Sequence, residues 1–116
     1  MTGFDASPRL PLAAPGATPV RVMTIAGSDS GGGAGIQADM RTFAMLGLHA
    51  CVAVTAVTVQ NSTGVTGFQE IDPGIVAAQM RSVTTDIGVA AAKTGMLASD
   101  PIITAIADAA VDLGIG

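Results

Sequence analysis

The chain has 116 residues, 49% of them hydrophobic and only 12% charged, with a net charge of −4, three Phe, no Tyr and no Trp. Its five basic residues, Arg9, Arg21, Arg41, Arg81 and Lys93, are spread singly, so no basic stripe exists to follow a phosphate backbone, and nucleic acid is excluded as an expected partner. No run reaches the roughly 20 apolar residues of a membrane span, so no membrane partner is expected, and the single cysteine, Cys51, allows no internal disulfide, which suits a buried thiol in a reducing cytoplasm.

In chain order, residues 1–19 lie within MTGFDASPRLPLAAPGATPV, which has Pro and small side chains but no apolar core behind a basic start. They are expected to form a mobile tail rather than a signal peptide. From residue 20 onward a short apolar run, a glycine-containing loop and a helically spaced stretch recur, the sequence form of stacked βα units. RVMTIAG reads as the first strand. Gly35 to Leu46 reads as the first helix, with Ile36, Met40, Phe43 and Leu46 on one stripe and Gly47 as its stop.

ACVAVTAVTVQ, apolar on both faces and rich in Val and Thr, predicts a central parallel strand ending at Gln60. A polar loop, NSTGVTG, and a short extended piece around FQEI follow. Asp72-Pro73 opens a second helix with Val76, Met80, Val83 and Ile87 as its apolar stripe, Asp capping the free amides and Pro filling the first position. GVAAAKTG predicts a third strand, and Asp100-Pro101 repeats the start signal before IITAIADAAVDLG. Three apolar strands with unpaired edges suggest part of a larger sheet, in which a further βα unit would follow.

The turn after the first strand holds five glycines between Gly27 and Gly35. It is no P-loop, because no Gly-Lys-Ser or Gly-Lys-Thr follows, and it fits the dinucleotide fingerprint only loosely through Gly33, Gly35 and Ala38, without the acidic residue expected about 20 positions on. One or two glycines would make the turn. Five predict a backbone passing close to a ligand at the carboxyl end of the strand, with Gly33 and Gly35 intolerant of a branched side chain and helix-start amides free for an anion. Asp29 reads as a turn residue.

TIAGSDSGGGAGIQAD, followed by TAVTVQNSTGV and AAKTGML, resembles the amino-terminal half of the hydroxymethylpyrimidine and phosphomethylpyrimidine kinases of thiamine biosynthesis, members of the ribokinase-like group. The resemblance runs from about Arg21 to Gly116. It implies an α/β fold, a partial ribokinase-like doubly wound, mainly parallel sheet with flanking helices, with residues 20–116 as a truncated amino-terminal part of the kinase domain. It further implies ATP and Mg2+ as co-substrate and cofactor and hydroxymethylpyrimidine as the small-molecule substrate. The family's anion hole and nucleotide site lie in a Gly-Thr-Gly-Cys loop of the carboxyl-terminal half, so no catalytic residue and no metal ligand are expected in this chain, which alone should lack kinase activity. A homodimer is a further expectation.

Gln60 offers one acceptor and two donors, a two-point match for a ring nitrogen and neighbouring amino group of an aminopyrimidine, or else serves as a loop residue. The resemblance places a substrate-contacting acid at Asp39, which otherwise reads as an exposed acid favoured near a helix amino terminus. Gly27 and Ala34 carry over as contacts where small size matters, and Met96 as an apolar wall, a residue type that is also common in cores. Lys93 faces either a phosphate or solvent. His49 lacks metal-binding neighbours and is expected on the surface. The competing functions are a pyridoxal or pyridoxine kinase of the same fold, a non-catalytic pyrimidine-binding fragment and, more weakly, a dinucleotide-binding module.

Overall fold

The computed structural model describes residues 16–115. Most of the expected tail, residues 1–15, lies outside that range, and residues 16–19 are exposed. The elements are β1 (Arg21–Ser28), α1 (Gly35–Met45), β2 (His49–Asn61), β3 (Gly64–Glu70), α2 (Pro73–Asp86), β4 (Ala91–Thr94) and α3 (Asp100–Leu113). They form one sheet in the order β3-β2-β1-β4. β1 runs parallel to β2, from Arg21↔His49 to Ala26↔Val54, and parallel to β4, from Val22↔Ala91 to Ile25↔Thr94.

A central parallel strand must bury both faces, and Met23, Thr24, Ile25 and Ala26 are all buried. Side chains alternate along β1. Met23 and Ile25 join Cys51 and Ala53 of β2, Val76 and Met80 of α2, and Ile102, Ile106 and Ala109 of α3 in one core. Thr24 points the other way, beneath α1, where its hydroxyl reaches Asp39. Helices therefore cover both faces of the sheet.

The helix signals act as local chemistry directs, with two corrections. Asp72 caps α2, its carboxylate accepting from Gly74 N at 2.8 Å, with Pro73 in the first turn. At α3 the cap position falls to Ser99, whose side chain makes no capping bond, and Asp100 lies in the first turn instead. The α1 stripe is not buried: Met40 and Leu46 are exposed, and no residue of the helix is fully buried. Ile36 and Phe43 of the stripe are half-buried, and polar contacts join them, with Gln37 Oε1 accepting from Asp29 N just past β1 at 2.8 Å and Asp39 accepting from Thr24 of β1 at 2.6 Å.

The expected loop after Gln60 is a hairpin. Asn61 Oδ1 accepts from the amide and hydroxyl of Thr63 at 2.9 and 2.6 Å, closing a tight Asx turn that sends Gly64–Glu70 back antiparallel to β2. All of β3 except Gly67 is exposed, so neither face needed an apolar alternation and none is visible in GVTGFQE. The third predicted strand shrinks to the four residues of β4, because Gly88, at φ +83°, belongs to the turn after α2. Where β3 ends, Gln79 of α2 takes over as partner of β2, its carboxamide accepting from Val54 N at 2.9 Å and donating to Val54 O at 3.0 Å.

Candidate substrate site

The glycine-rich turn is organised around Asp29, which is only 5% exposed. Its Oδ1 accepts from Gly31 N at 2.7 Å, and its Oδ2 from Gly33 N and Ala34 N at 2.9 and 2.8 Å. The chain's own carboxylate thus occupies amides of the turn that precedes α1, whereas the helix-start amides expected to hold an anion are those from Gly35 onward. Positive φ falls at Gly32 (+79°) and Gly35 (+60°), not at Gly33, where an added Cβ would meet only Asp29 Oδ2 at 3.8 Å. The expectation of intolerance at Gly33 is therefore corrected, and the one at Gly35 stands on its backbone.

Some of the glycines answer to neighbouring protein. A Cβ on Gly31 would lie 3.1 Å from Asn61 Cα, and one on Gly27 would lie 2.8 Å from Met96 Cε. The same turn docks on the end of β2 through Ser30, whose hydroxyl donates to Gln60 O at 2.5 Å and accepts from Gln60 N at 2.7 Å. The strand registers break here too, between Ala26 and Ser28 against β2 and between Val59 and Gln60 against β3. Such irregularities re-aim side chains at strand ends.

Between these ends lies a cleft of about 270 Å³. Gly27, Ala34, Gln60 and Met96 line it, so four of the five sequence-predicted site residues meet at one place, joined by Thr58 and Lys93. Gln60 is half-buried. The Thr58 hydroxyl, donated to Ser28 O at 2.5 Å, lies 3.3 Å from Gln60 Oε1, while Gln60 Nε2 has no acceptor among the described residues. Met96 is held by its backbone, Thr55 Oγ1 donating to its carbonyl at 2.6 Å, and its side chain remains 46% exposed over Gly27. These threonines were not singled out from the sequence, where Thr in an apolar run reads as a strand former. The signal was there nonetheless, because a hydroxyl inside a core needs an acceptor.

Asp39, the fifth, does not line the cleft. Lys93 Nζ donates to its Oδ1 and Oδ2 at 3.0 and 2.8 Å, and Thr24 Oγ1 to Oδ2 at 2.6 Å. Burial pushes the Asp39 carboxyl up, but the hydrogen bonds from Lys93 and Thr24 and the lysine's charge outweigh it, leaving the group below its ordinary value of 3.8. A depressed carboxylate stabilises the fold above its unfolded value, and that contribution disappears as pH falls through the lower folded one. Acidification from about pH 6 to 3 should therefore lower the urea midpoint more in wild type than in Asp39→Asn. Parallel curves would remove Asp39 from the acid response.

His49 is exposed, and no group of three or more His, Cys, Asp or Glu among the described residues could hold a metal. Burial raises the Cys51 thiol, only partly opposed by the Arg21 charge, so the thiolate is disfavoured there. No helix among the described residues is long and apolar enough to cross a membrane.

Residues 29–115 match the family model described as phosphomethylpyrimidine kinase. A relative from Mycobacterium leprae, named hydroxymethylpyrimidine/phosphomethylpyrimidine kinase, is 67% identical over 99 residues, covering 85% of this chain and 36% of its own length. The chain thus spans about a third of that curated relative. Among solved structures, phosphomethylpyrimidine kinase from Clostridium difficile is 40% identical with a TM-score of 0.79, over 83% of this chain and 42% of that one. The ADP complex of Bacillus subtilis pyridoxal kinase is 37% identical with a TM-score of 0.75, over 84% of this chain and 38% of that one. The mixed sheet with flanking helices accordingly matches part of a ribokinase-like kinase. With three quarters of its length inside the family model, the chain belongs to the phosphomethylpyrimidine kinase family.

Proposed function

We propose that residues 20–116 are the amino-terminal, pyrimidine-recognising part of a kinase that uses ATP to phosphorylate 4-amino-5-hydroxymethyl-2-methylpyrimidine and then its monophosphate in thiamine biosynthesis. The observation that carries this is the meeting of Gln60, Gly27, Ala34 and Met96 around one cleft at the carboxyl ends of β1 and β2, where open α/β sheets bind small molecules. Gln60 presents an unengaged Nε2 and a weakly engaged Oε1 to the ring edge. Met96 and Val65 supply apolar surface, and Gly27 leaves the room that Met96 occupies. Asp39 belongs to the site through its ion pair with Lys93.

ATP as co-substrate is supported by the nucleotide in the Bacillus subtilis relative. Mg2+ would complete the phosphoryl transfer by neutralising charge on the phosphates, and the described residues offer no cluster of ligands for it. We assign both to parts of the protein outside these residues. A cytoplasmic setting is supported by the single, buried, unpaired Cys51. A homodimer is part of the same proposal, and neither nucleic acid nor membrane is proposed as a partner.

A second reading, phosphorylation of pyridoxal-type alcohols, is favoured by the structural likeness to pyridoxal kinase. Offering both alcohols with ATP to the full-length protein carrying this sequence separates the two, since turnover of pyridoxal in preference to the pyrimidine would overturn the first. In that protein, Gln60→Ala should raise KM for the pyrimidine about tenfold or more, because ring polar groups are left unpaired, while KM for ATP barely moves. Equal losses for both substrates would mean misfolding and would remove Gln60 as the reader of the ring.

A further inference from the structure

We propose that the Lys93 ammonium contacts an anionic oxygen of the phosphorylated substrate, with Asp39 and Thr24 as the residues that position it. The assignment rests on the kinase reading above and deepens it, because it concerns what distinguishes the second substrate from the first. The two differ by one phosphate, a group bearing nearly two negative charges that a neutral cleft would desolvate at high cost. Among the residues lining the cleft, Lys93 is the one that carries a charge.

Its setting is that of a held cation. Lys93 sits on β4 directly opposite Thr24 on β1, and both side chains converge on Asp39 from the facing helix. An ammonium has three donors. Two bonds go to the Asp39 oxygens at 3.0 and 2.8 Å, which leaves one N–H without a protein acceptor among the described residues. The Lys93 side chain is 48% exposed whereas Asp39 is 17% exposed, so the cation is the open member of the pair and the acid its support. Thr24, fully buried, fixes that support with a 2.6 Å bond. Beside the ammonium is Gly95, where a Cβ would stand 3.4 Å from Nζ and 2.8 Å from Ala26 Cβ. Glycine there keeps bulk away from the charge.

An exposed ion pair by itself adds little to stability. This one has a third, buried member and lies in the wall of the cleft, an arrangement that restrains where the charge points. Because Asp39 already neutralises part of that charge, the expected gain for a phosphate is moderate, about tenfold in apparent affinity.

The test is steady-state kinetics on the full-length protein, comparing KM for the alcohol with KM for its monophosphate. Lys93→Gln keeps reach toward Asp39 without the charge and should raise the ratio of monophosphate KM to alcohol KM about tenfold, while Lys93→Arg restores most of it. The double variant Lys93→Met/Asp39→Asn leaves no carboxylate unpaired, so it separates folding from contact, and the raised ratio should persist there. An unchanged ratio in Lys93→Gln and the double variant, with the wild type active on both substrates, overturns this assignment and leaves the kinase reading standing. A ratio raised in Lys93→Gln but normal in the double variant also overturns it, by tracing the effect to an uncompensated Asp39. A wild type that phosphorylates neither substrate removes the kinase reading and this assignment with it.

Discussion

Gly35→Val is expected to destabilise the full-length protein by on the order of 3–5 kcal/mol, a large share of the 5–15 kcal/mol that holds a typical domain folded. Two causes add. At φ +60° a side chain meets its own backbone, a cost of roughly 1–2 kcal/mol for any residue but glycine and more for a β-branched one. The new Cβ would also press on the Gly27 carbonyl oxygen of β1 and stand 3.2 Å from Asp29 N. Both obstacles are backbone, so no side chain can swing away. Relief requires α1 to lift from β1, which would pull Ala34 from Asp29 and disturb the cleft wall. The control is Gly33→Ala, where φ is ordinary and the nearest atom is 3.8 Å away, with an expected change within about 0.5 kcal/mol. Urea midpoints of the two variants decide the matter: equal shifts would refute the backbone argument.

Asp29→Ala should cost roughly 1–3 kcal/mol, because three amides lose their carboxylate acceptor at once, although Gly31, Gly33 and Ala34 are exposed and water takes up part of the loss. Asp29→Asn is the informative partner. Its carboxamide retains one oxygen, which can serve the Gly33 and Ala34 amides or the Gly31 amide but not both sets, while its NH2 faces a donor. An intermediate loss follows. Binding of the pyrimidine should weaken alongside stability, since the turn that Asp29 pins carries Ser30, and Ser30 holds the backbone of Gln60. An Asn variant as stable as wild type would show that the carboxylate is not what organises the turn, and unchanged pyrimidine affinity in a destabilised Asp29→Ala would detach the turn from the site.

The order of strands and helices could be read from the sequence because its causes are local. Asp72 and Pro73 start α2 with groups already present in that first turn, and Gly47 and Gly114 end α1 and α3 at φ +75° and +70° with no help from distant residues. The same holds for the apolar β1, whose composition demands cover on both faces, whereas β2, expected to be a parallel strand covered likewise, leaves Val57 and Val59 exposed where it pairs antiparallel with β3. β3 escaped that reading because its ribbon lies outside the helical layers and carries almost no burial pattern. The site divides in the same way. Gln60, Gly27, Ala34 and Met96 could be nominated because a family resemblance named them, Gln60, Gly27 and Met96 at or just past the ends of predicted strands and Ala34 in the glycine-rich turn. What the sequence by itself determined, then, is the succession of elements apart from β3, set by neighbours a few positions away, together with the motifs that carry the family resemblance. Only the tertiary structure decided that Lys93 meets Asp39 across 54 residues, that Thr24 joins them and that the glycine turn closes on Asp29 and Gln60. Those contacts exist because β4 crosses over to lie beside β1, and strand order in a sheet is chosen by burial across the whole domain rather than by any stretch of chain.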